Sequence, residues 1–369
     1  MKAITVDPAA RSVALRDVPE PGLQAPTEVK LRMLEVGVCG TDREICAMDY
    51  GTPPEDCPFL VIGHESLGEV VAVGSAVTRL RVGDLVVPTV RRPCPHAHCV
   101  PCRTGRQDFC ITGDFQERGI KQRHGFMTEF VVDDARYMNV VPSQLRDLAV
   151  LVEPLTIAEK AMAQVELLQQ RLPWACTVQP GGNQFCHKAV VLGAGPVGLL
   201  GAMKLATSGF ETFVYSRQDG GSERRALVES FGAHFVAAEQ VPAGALAEEL
   251  GGIDLIYEAM GASQTSFEAM TSLGNNGVFV FTGVPGRRGP VQIDTDLLMR
   301  NLVLKNQVVL GTVNAGDEAF ANAVRDLTDF AVRWPDATHG LISGRHEMQR
   351  FDELLLHRTR GIKHVIRIA

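Results

Sequence analysis

Four cysteines lie close together in the first half of the chain, a density that thiols seldom reach without a shared ligand. Cys99 and Cys102 are separated by two residues, the spacing that wraps a tetrahedral zinc ion. We predict a structural zinc whose positions are all filled by protein. Either His96 or His98 could replace the first cysteine as a ligand. The predicted thiolate ligands are Cys94, Cys99, Cys102 and Cys110.

A second set of metal-ligating residue types is dispersed along the chain. Cys39 follows a predicted strand, His64 and Glu65 lie just downstream, and Glu153 precedes a proline. A cysteine, a histidine and one glutamate would form an open zinc site, in which the remaining position receives water or a substrate oxygen. The two glutamates could exchange on the metal, or one of them could serve as a base. Each residue taken alone also has an ordinary structural explanation.

A glycine-rich turn lies between a predicted strand and a predicted helix. Gly193 permits a tight turn, Gly195 lets a pyrophosphate approach the backbone, and Gly198 allows helix and strand to pack closely. The helix begins near Pro196-Val197, and its free amides attract an anion. We predict that this turn binds a dinucleotide.

The end of the next strand indicates the cofactor. Sites for NAD usually carry an acid there, but this strand runs into Ser216-Arg217, and Asp219 follows only later. A guanidinium suits a 2′-phosphate. We predict NADP, with NAD also usable; alternatively, Arg217 is a solvated loop residue that stacks on adenine.

Composition limits the class of protein. The chain has 369 residues, 45% of them hydrophobic, and a net charge of −7 without a long basic run. These features argue against nucleic acid or an anionic membrane as the main partner. An odd number of cysteines and no signal-like start favour reduced thiols and a cytoplasmic location. The cysteines outside the two metal sets are interpreted as packing or loop residues: Cys46, Cys57, Cys176 and Cys186.

The length and the sequence pattern of the chain predict an α/β fold with two domains. Short strands in the first 150 or so residues, such as 29–36, 69–73 and 85–90, indicate an irregular, partly open β-barrel. Farther along, predicted strands (188–192, 212–215, 255–257 and 277–282) alternate with helices, as in a doubly wound parallel sheet. Residues 173–187 resemble a connector. We expect a catalytic domain at 1–185 and 309–369 and a cofactor domain at 186–308.

The order of these motifs along the chain resembles the zinc-dependent medium-chain dehydrogenase/reductase superfamily. That resemblance implies a GroES-like catalytic domain completed by the C-terminal tail, an inserted Rossmann domain, and an active site in the cleft between them. It also implies cofactor contacts from a later segment, at Thr282, Gly283, Val284 and Asn314.

Segments 115–120, 124–129 and 311–315 resemble those of glucose (aldose) 1-dehydrogenases more narrowly. This likeness implies zinc on Cys39 and His64, with both glutamates near or on the metal. It implies that sugar hydroxyls contact Thr41, Glu117, Glu153 and Asn314. The chain departs from that branch in a wider first Cys–Cys spacing, and in Thr89-Val90 before Arg91-Arg92, where relatives have an asparagine.

The sequence therefore predicts hydride transfer from C1 of an aldose to NADP, which gives a lactone. Thr41 is the candidate proton relay; alternatively, its hydroxyl only bonds to backbone. The rival interpretations are a polyol, threonine or simple alcohol dehydrogenase, an enzyme for a larger sugar-bearing substrate, and a non-catalytic NADP-binding redox sensor. We expect a homodimer or homotetramer formed through the sheet edge at 303–310.

Overall fold

The computed structural model describes residues 1–173, 187–217, 221–286, 289–357 and 359–369. Cys176, Cys186, Asp219 and most of the predicted connector lie outside the described residues. The chain divides into two compact units. The first comprises 1–156, 314–332 and 341–369, and the second comprises 157–313 and 333–340.

The elements follow one another in chain order. They are β1 (Lys2–Asp7), β2 (Ser12–Asp17), β3 (Glu28–Gly37), α1 (Gly40–Cys46), β4 (Leu60–Val61), β5 (Glu65–Val73), β6 (Leu85–Pro88), β7 (Arg91–Arg92), α2 (Val100–Arg103), β8 (Gln116–Arg118), β9 (Gln122–Arg123), β10 (Phe130–Asp134), β11 (Met138–Val140), α3 (Val152–Gln169), β12 (His187–Leu192), α4 (Pro196–Thr207), β13 (Phe210–Ser216), α5 (Gly221–Ser230), β14 (His234–Ala237), α6 (Leu246–Leu250), β15 (Leu255–Glu258), α7 (Ser263–Met270), β16 (Val278–Phe281), α8 (Thr295–Leu304), β17 (Val308–Gly311), α9 (Asp317–Arg333), α10 (Pro335–Gly340), β18 (Ile342–Glu347), α11 (Phe351–Leu355) and β19 (Lys363–Arg367).

The first unit is built around a seven-stranded sheet in the order β11-β6-β5-β3-β19-β18, with β10 also paired to β3. Strand β3 is long enough to pair along one edge with β10 and then with β19. Its apolar residues form the core of the unit together with those of its neighbours. The C-terminal tail therefore completes this unit, as the family resemblance implies.

Glycines let three backbone segments cross directly beside His64. Gly63 has a φ of +91°, in the left-handed region that favours glycine. A Cβ on Gly119 or on Gly125 would lie 2.4 Å from the Gly63 carbonyl oxygen. No side chain fits between these segments, so the position of His64 is set by backbone packing.

The second unit contains a parallel sheet in the order β14-β13-β12-β15-β16-β17. The central strands are short and mostly apolar, as in sheets that are buried on both faces, whereas the edge strand β17 is partly exposed. Helices connect successive strands, and the order reverses beside β12, which is the dinucleotide-binding topology. The predicted α/β class, with a GroES-like unit and a Rossmann unit, is confirmed.

Two local predictions in the second unit were wrong. Strand β14 was not predicted, because a run of four residues at an edge gives little periodic signal. Residues 303 and 304, predicted within an edge segment, end helix α8; only Val308–Gly311 forms the edge strand. In the division into two compact units, residues 157–173, 309–313 and 333–340 group with the Rossmann unit, whereas the sequence placed them in the catalytic domain. None of the helices in the described ranges combines the length and the hydropathy that a membrane span requires.

A buried ionic cluster ties the small strands of the first unit to its sheet. Asp133, on β10, lies 2.7 Å from Arg92, 2.6 Å from Arg118 and 3.1 Å from Arg123. Its carboxylate is 2% exposed. Burial alone would raise the pKa of Asp133, but the three guanidinium groups hold it well below the usual range.

We expect Asp133→Asn to destabilise the first unit by about 3–5 kcal/mol, because it leaves buried arginines without a counter-charge. The depressed pKa means that this stabilisation is full above about pH 4, the unfolded-state pKa, and is lost as the pH falls further. Urea unfolding of wild type and variant between pH 7 and pH 3 measures both effects.

Asp134→Asn is the matched control. Asp134 pairs with Arg136, which is 69% exposed, so we expect a loss of less than about 1 kcal/mol. Equal losses of unfolding free energy in the two variants would contradict the stabilising role of Asp133. A difference between wild type and Asp133→Asn that does not narrow in acid would also contradict it.

Candidate active site

The structure brings three of the dispersed metal-ligating residues together. The ligand atoms of Cys39, His64 and Glu65 all lie within 4.8 Å of one another. Cys39 immediately precedes helix α1, His64 follows β4, and Glu65 begins β5. Both His64 and Glu65 are buried. A thiolate, an imidazole and a carboxylate at this separation form a donor set suited to zinc.

Asp42 supports this group and was not assigned a role from sequence. Its Oδ2 accepts a hydrogen bond of 2.9 Å from the backbone N–H of Cys39. Its Oδ1 lies 3.4 Å from His64 Nδ1, and neither atom has a hydrogen bond within the part of the chain that is described. A fully buried carboxylate against the outer nitrogen of a ligating histidine orients the ring toward a metal. The Cys-Gly-Thr-Asp spacing could have predicted this support, because α1 places Asp42 one turn after Cys39.

The electrostatics of the group favour a cation. Burial disfavours the charged form of His64, but Asp42 and Cys39 raise its pKa well above the usual value. An environment that favours a protonated imidazole is one in which a divalent cation is also stabilised. The fit of a metal therefore rests on the three converging ligand atoms, and this charge environment agrees with it.

Glu65 and Glu153 have different surroundings. The Glu65 carboxylate forms a buried ion pair with Lys363 of β19. Glu153, at the start of α3, is outside the close group and has no ion-pair partner among the described residues. Desolvation, with the charges of Glu65 and Asp42, raises the pKa of Glu153 to about 7, although His64 and Lys363 oppose the shift.

Thr41 lies in the first turn of α1 and is partly exposed. Its hydroxyl makes no hydrogen bond within the described ranges, so it is available for another partner. The predicted sugar contacts Glu117 and Asn314 are joined to each other, since Asn314 Nδ2 donates to Glu117 Oε1 at 2.9 Å. Arg91, which had no predicted role, also donates to Glu117.

The cysteine lobe forms a compact four-thiol group. The sulfurs of its members lie within 4.8 Å of one another, and three of the four residues are buried. His96 points instead to Asp114, at 2.7 Å. The geometry therefore favours Cys94 over His96 as the fourth ligand. The group is Cys94, Cys99, Cys102 and Cys110.

The glycine-rich turn has the form that a pyrophosphate requires. Gly193 has a φ of +109°, and a Cβ on Gly198 would lie 2.0 Å from the Gly193 carbonyl oxygen. A Cβ on Gly195 would meet nothing within 4 Å, so the backbone there is open. Helix α4 begins at Pro196-Val197 without a side-chain cap, which leaves its first amides available to an anion.

Glu258 links two loops near this turn and was not predicted as a site residue. Its Oε1 accepts from the N–H groups of Met260 and Gly261 at 2.9 and 2.6 Å. Its Oε2 accepts from Gly283 N–H at 3.1 Å, which fixes the segment that contains Thr282 and Val284. Val284 is 70% exposed. The sequence offered no signal beyond an acid at a strand end.

Ser216 ends strand β13, and Arg217 follows it directly. These two residues therefore occupy the position at which a nucleotide-binding unit of this topology distinguishes the two nicotinamide cofactors.

Comparisons with known proteins agree with this architecture. The family model "Glucose dehydrogenase C-terminus" matches residues 146–368, and "Alcohol dehydrogenase GroES-like domain" matches 25–143. The chain is 36% identical to glucose 1-dehydrogenase from Methanocella arvoryzae, over 100% of both chains. It is 37% identical to glucose 1-dehydrogenase from Thermoproteus tenax, covering 100% of this chain and 99% of the relative.

Among solved structures, the chain is similar to Haloferax mediterranei glucose dehydrogenase in complex with NADP, Zn and gluconolactone. The TM-score is 0.88 at 30% identity, with 100% of this chain and 99% of the other covered. The chain therefore belongs to the zinc-dependent medium-chain dehydrogenase/reductase superfamily. Within it, the chain is a member of the glucose 1-dehydrogenase branch.

We expect Asp42→Asn to lower the affinity for catalytic zinc by about 10- to 100-fold, since the amide no longer supports the imidazole. Competition with a chromophoric chelator, read with total zinc content, measures the loss. Cys46→Ala is the control, because Cys46 lies on the same helix, is buried, and belongs to neither metal group. If both variants bind zinc equally well, Asp42 has no orienting role.

Two glycine variants separate cofactor binding from folding. Gly195→Ala adds a methyl group into open space, so we expect unchanged thermal stability but at least about tenfold weaker dinucleotide binding. Gly198→Ala forces the Gly193 carbonyl away and should destabilise the Rossmann unit. Thermal unfolding and cofactor titration by fluorescence test both; unchanged cofactor affinity in Gly195→Ala would contradict the assignment.

Proposed function

We propose that this protein is a zinc-dependent aldose 1-dehydrogenase that oxidises a glucose-like sugar to its lactone with NADP. The observation that carries the proposal is the group of Cys39, His64 and Glu65, whose ligand atoms lie within 4.8 Å of one another and whose charges favour a cation. The relatives named as glucose 1-dehydrogenases, which match over the whole chain, support the same substrate class.

The residues present fit both metals that the family implies. Cys39 and His64 would hold the catalytic zinc, with Glu65 or Glu153 beside it, and the four-cysteine lobe would hold the structural zinc. Asp42 would fix the imidazole tautomer, with Nδ1 directed away from the metal.

When bound, zinc supplies Lewis acidity toward a substrate hydroxyl, and NADP accepts the hydride. The chain's own groups would handle the proton. The Thr41 hydroxyl makes no hydrogen bond within the described chain, and it would pass the proton toward solvent. Glu153 lacks a cationic partner within the described chain, so it is the carboxylate free to accept a proton or a sugar hydroxyl. Glu117 and Asn314 would contact sugar hydroxyls farther from C1.

The cofactor preference is proposed from the end of β13. Ser216 and Arg217 follow the strand where an acid would favour NAD, and a guanidinium suits the 2′-phosphate of NADP. The pyrophosphate would lie at Gly193, Gly195 and Gly198. The solved relative from H. mediterranei, which contains NADP, supports this choice.

A substrate panel with both cofactors tests the proposal. We expect oxidation of glucose or another aldose, a higher kcat/KM with NADP than with NAD, and about two zinc ions per chain. Removal of zinc by a chelator should abolish activity, and added zinc should restore it. Turnover of sorbitol, threonine or simple alcohols without any aldose would favour a polyol or alcohol dehydrogenase. Bound NADP without turnover of any substrate would favour a redox sensor.

We also propose that the protein is cytoplasmic and forms a homo-oligomer through the β17 edge. Apolar side chains near this edge are well exposed: Met299 (63%), Val303 (69%), Leu304 (69%), Val309 (38%) and Val313 (52%). Exposed apolar groups beside an unpaired strand edge are typical of subunit interfaces. Sedimentation velocity that shows a single monomeric species would contradict this.

A further inference from the structure

One oxygen of the Glu117 carboxylate receives three hydrogen bonds. Arg91 Nε and Arg91 Nη2 donate to Oε1 at 3.1 and 2.9 Å, and Asn314 Nδ2 donates to the same atom at 2.9 Å. A carboxylate oxygen offers about two lone-pair positions, so three N–H groups saturate Oε1.

Arg91 itself is held rigidly. Its guanidinium stacks on the Phe115 ring at 3.6 Å, and Nη1 donates to the Asp108 carbonyl oxygen at 3.4 Å. Lys121 lies against the same ring, at 4.4 Å. Arg91 is 7% exposed, so the guanidinium has little freedom to leave Glu117.

Asn314 is positioned by its own backbone. It has a φ of +58°, and its Oδ1 accepts a hydrogen bond of 2.9 Å from the N–H of Ala315. This bond fixes which atom of the amide faces Glu117, since the oxygen is already engaged. The amide is therefore used within the protein as a donor to the carboxylate.

The other oxygen of Glu117 is left open. Oε2 receives no hydrogen bond within the described ranges. It keeps some solvent exposure, because it does not belong to the fully buried polar atoms that lack a partner. Resting on the proposed function, we propose that Arg91 is a positioning residue of the sugar site. It saturates Oε1 together with Asn314, so that Oε2 is presented in one fixed direction as the acceptor for substrate hydroxyls.

The chemistry explains why this arrangement would affect specificity. A carboxylate oxygen in a mostly buried site loses much of its hydration, so a substrate hydroxyl that replaces the lost water is strongly selected. A fixed direction discriminates among hydroxyl positions better than a freely rotating group, because less ordering entropy is lost on binding. Only a planar fork can donate from two nitrogens to one oxygen while it stacks on a ring.

The neighbouring residue, Arg92, provides an internal contrast to Arg91. Arg92 is also buried and also stacks on an aromatic ring, that of Tyr137 at 3.9 Å. Its hydrogen bonds within the described chain go to Asp133, to Thr89 and to the Arg91 carbonyl oxygen, and none goes to Glu117. Arg91 and Arg92 are thus both buried and both stacked on a ring, but only Arg91 donates hydrogen bonds to Glu117, the proposed sugar contact.

Steady-state kinetics of Arg91→Lys and Arg92→Lys test the proposal with the aldose that the wild type prefers. Lysine keeps the charge but loses the fork. For Arg91→Lys we expect a rise in sugar KM of about tenfold or more, with kcat within about threefold and an unchanged KM for the cofactor. Discrimination against deoxy sugars should also fall. For Arg92→Lys we expect a loss of stability but no change in sugar KM.

A double-mutant cycle with Glu117→Gln adds a readout that a purely structural role would not give. If Arg91 acts through Glu117, the double variant should have nearly the sugar KM of Glu117→Gln alone. Additive effects, or an unchanged sugar KM in Arg91→Lys, would overturn the proposal. If Arg91→Lys does not fold, Asn314→Gly replaces it in the cycle. It permits the same φ and removes one donor. Because Asn314 is itself a proposed sugar contact, the test is its coupling to Glu117: an effect on sugar KM that persists in the Glu117→Gln background would count against the proposal, as would an unchanged KM.

The two failures are distinguishable. A wild type that oxidises aldoses while Arg91→Lys retains normal sugar KM refutes the role of Arg91 and leaves the proposed function intact. A wild type that oxidises no aldose refutes the proposed function, and the sugar role of Arg91 with it.

Discussion

Buried negative charge at the metal-ligating group is the constraint on which the first unit depends. Asp42 and Glu65 are 0% and 1% exposed, and a cysteine thiolate would add a third charge beside them. Isolated charges in such surroundings cost several kcal/mol each, so cations must be supplied. The protein supplies one of them from the far end of the chain. Strand β19 pairs with β3, and this pairing brings Lys363 to the Val38 carbonyl oxygen and to Glu65. The C-terminal tail thus contributes charge to the site as well as a strand to the sheet.

The same solution recurs at two other carboxylates of this unit. Asp133 is neutralised by three arginines, and Glu117 by Arg91. In each case a planar guanidinium satisfies the acceptor geometry that a single ammonium would leave incomplete. These pairs connect β7, β8 and β10 around Glu117, and they act together with the apolar packing of Ile120, Phe126 and Val131 in the core of the unit.

Sequence patterns predicted the parts of the protein whose determinants are local. The cysteine lobe and the Gly193 turn depend on spacings within a few residues, and the structure shows both as compact groups. The order of motifs along the chain predicted the fold class, because each motif implied a neighbouring element. The pairs that set the electrostatics were not predictable from spacing: Lys363 meets Glu65 across 298 positions, and only the family resemblance placed Asn314 and Glu117, 197 positions apart, in one site. No periodicity or spacing connects such residues before the sheet topology is known.

The carboxylates of the proposed active site differ in how completely the protein engages them, and this difference separates their roles. Glu65 is held by Lys363, and Glu117 has one oxygen saturated by Arg91 and Asn314. Glu153, by contrast, has no ion-pair partner in the described part of the chain. A carboxylate held by a buried cation changes its protonation or ligation only when that ion pair is broken, which is costly. A carboxylate without such a partner can bind a metal, a proton or a hydroxyl in turn. The sequence did not distinguish the roles of Glu65 and Glu153. Because only Glu65 is held by an ion pair among the described residues, the fold favours Glu153 as the carboxylate that exchanges a proton or a ligand during the reaction.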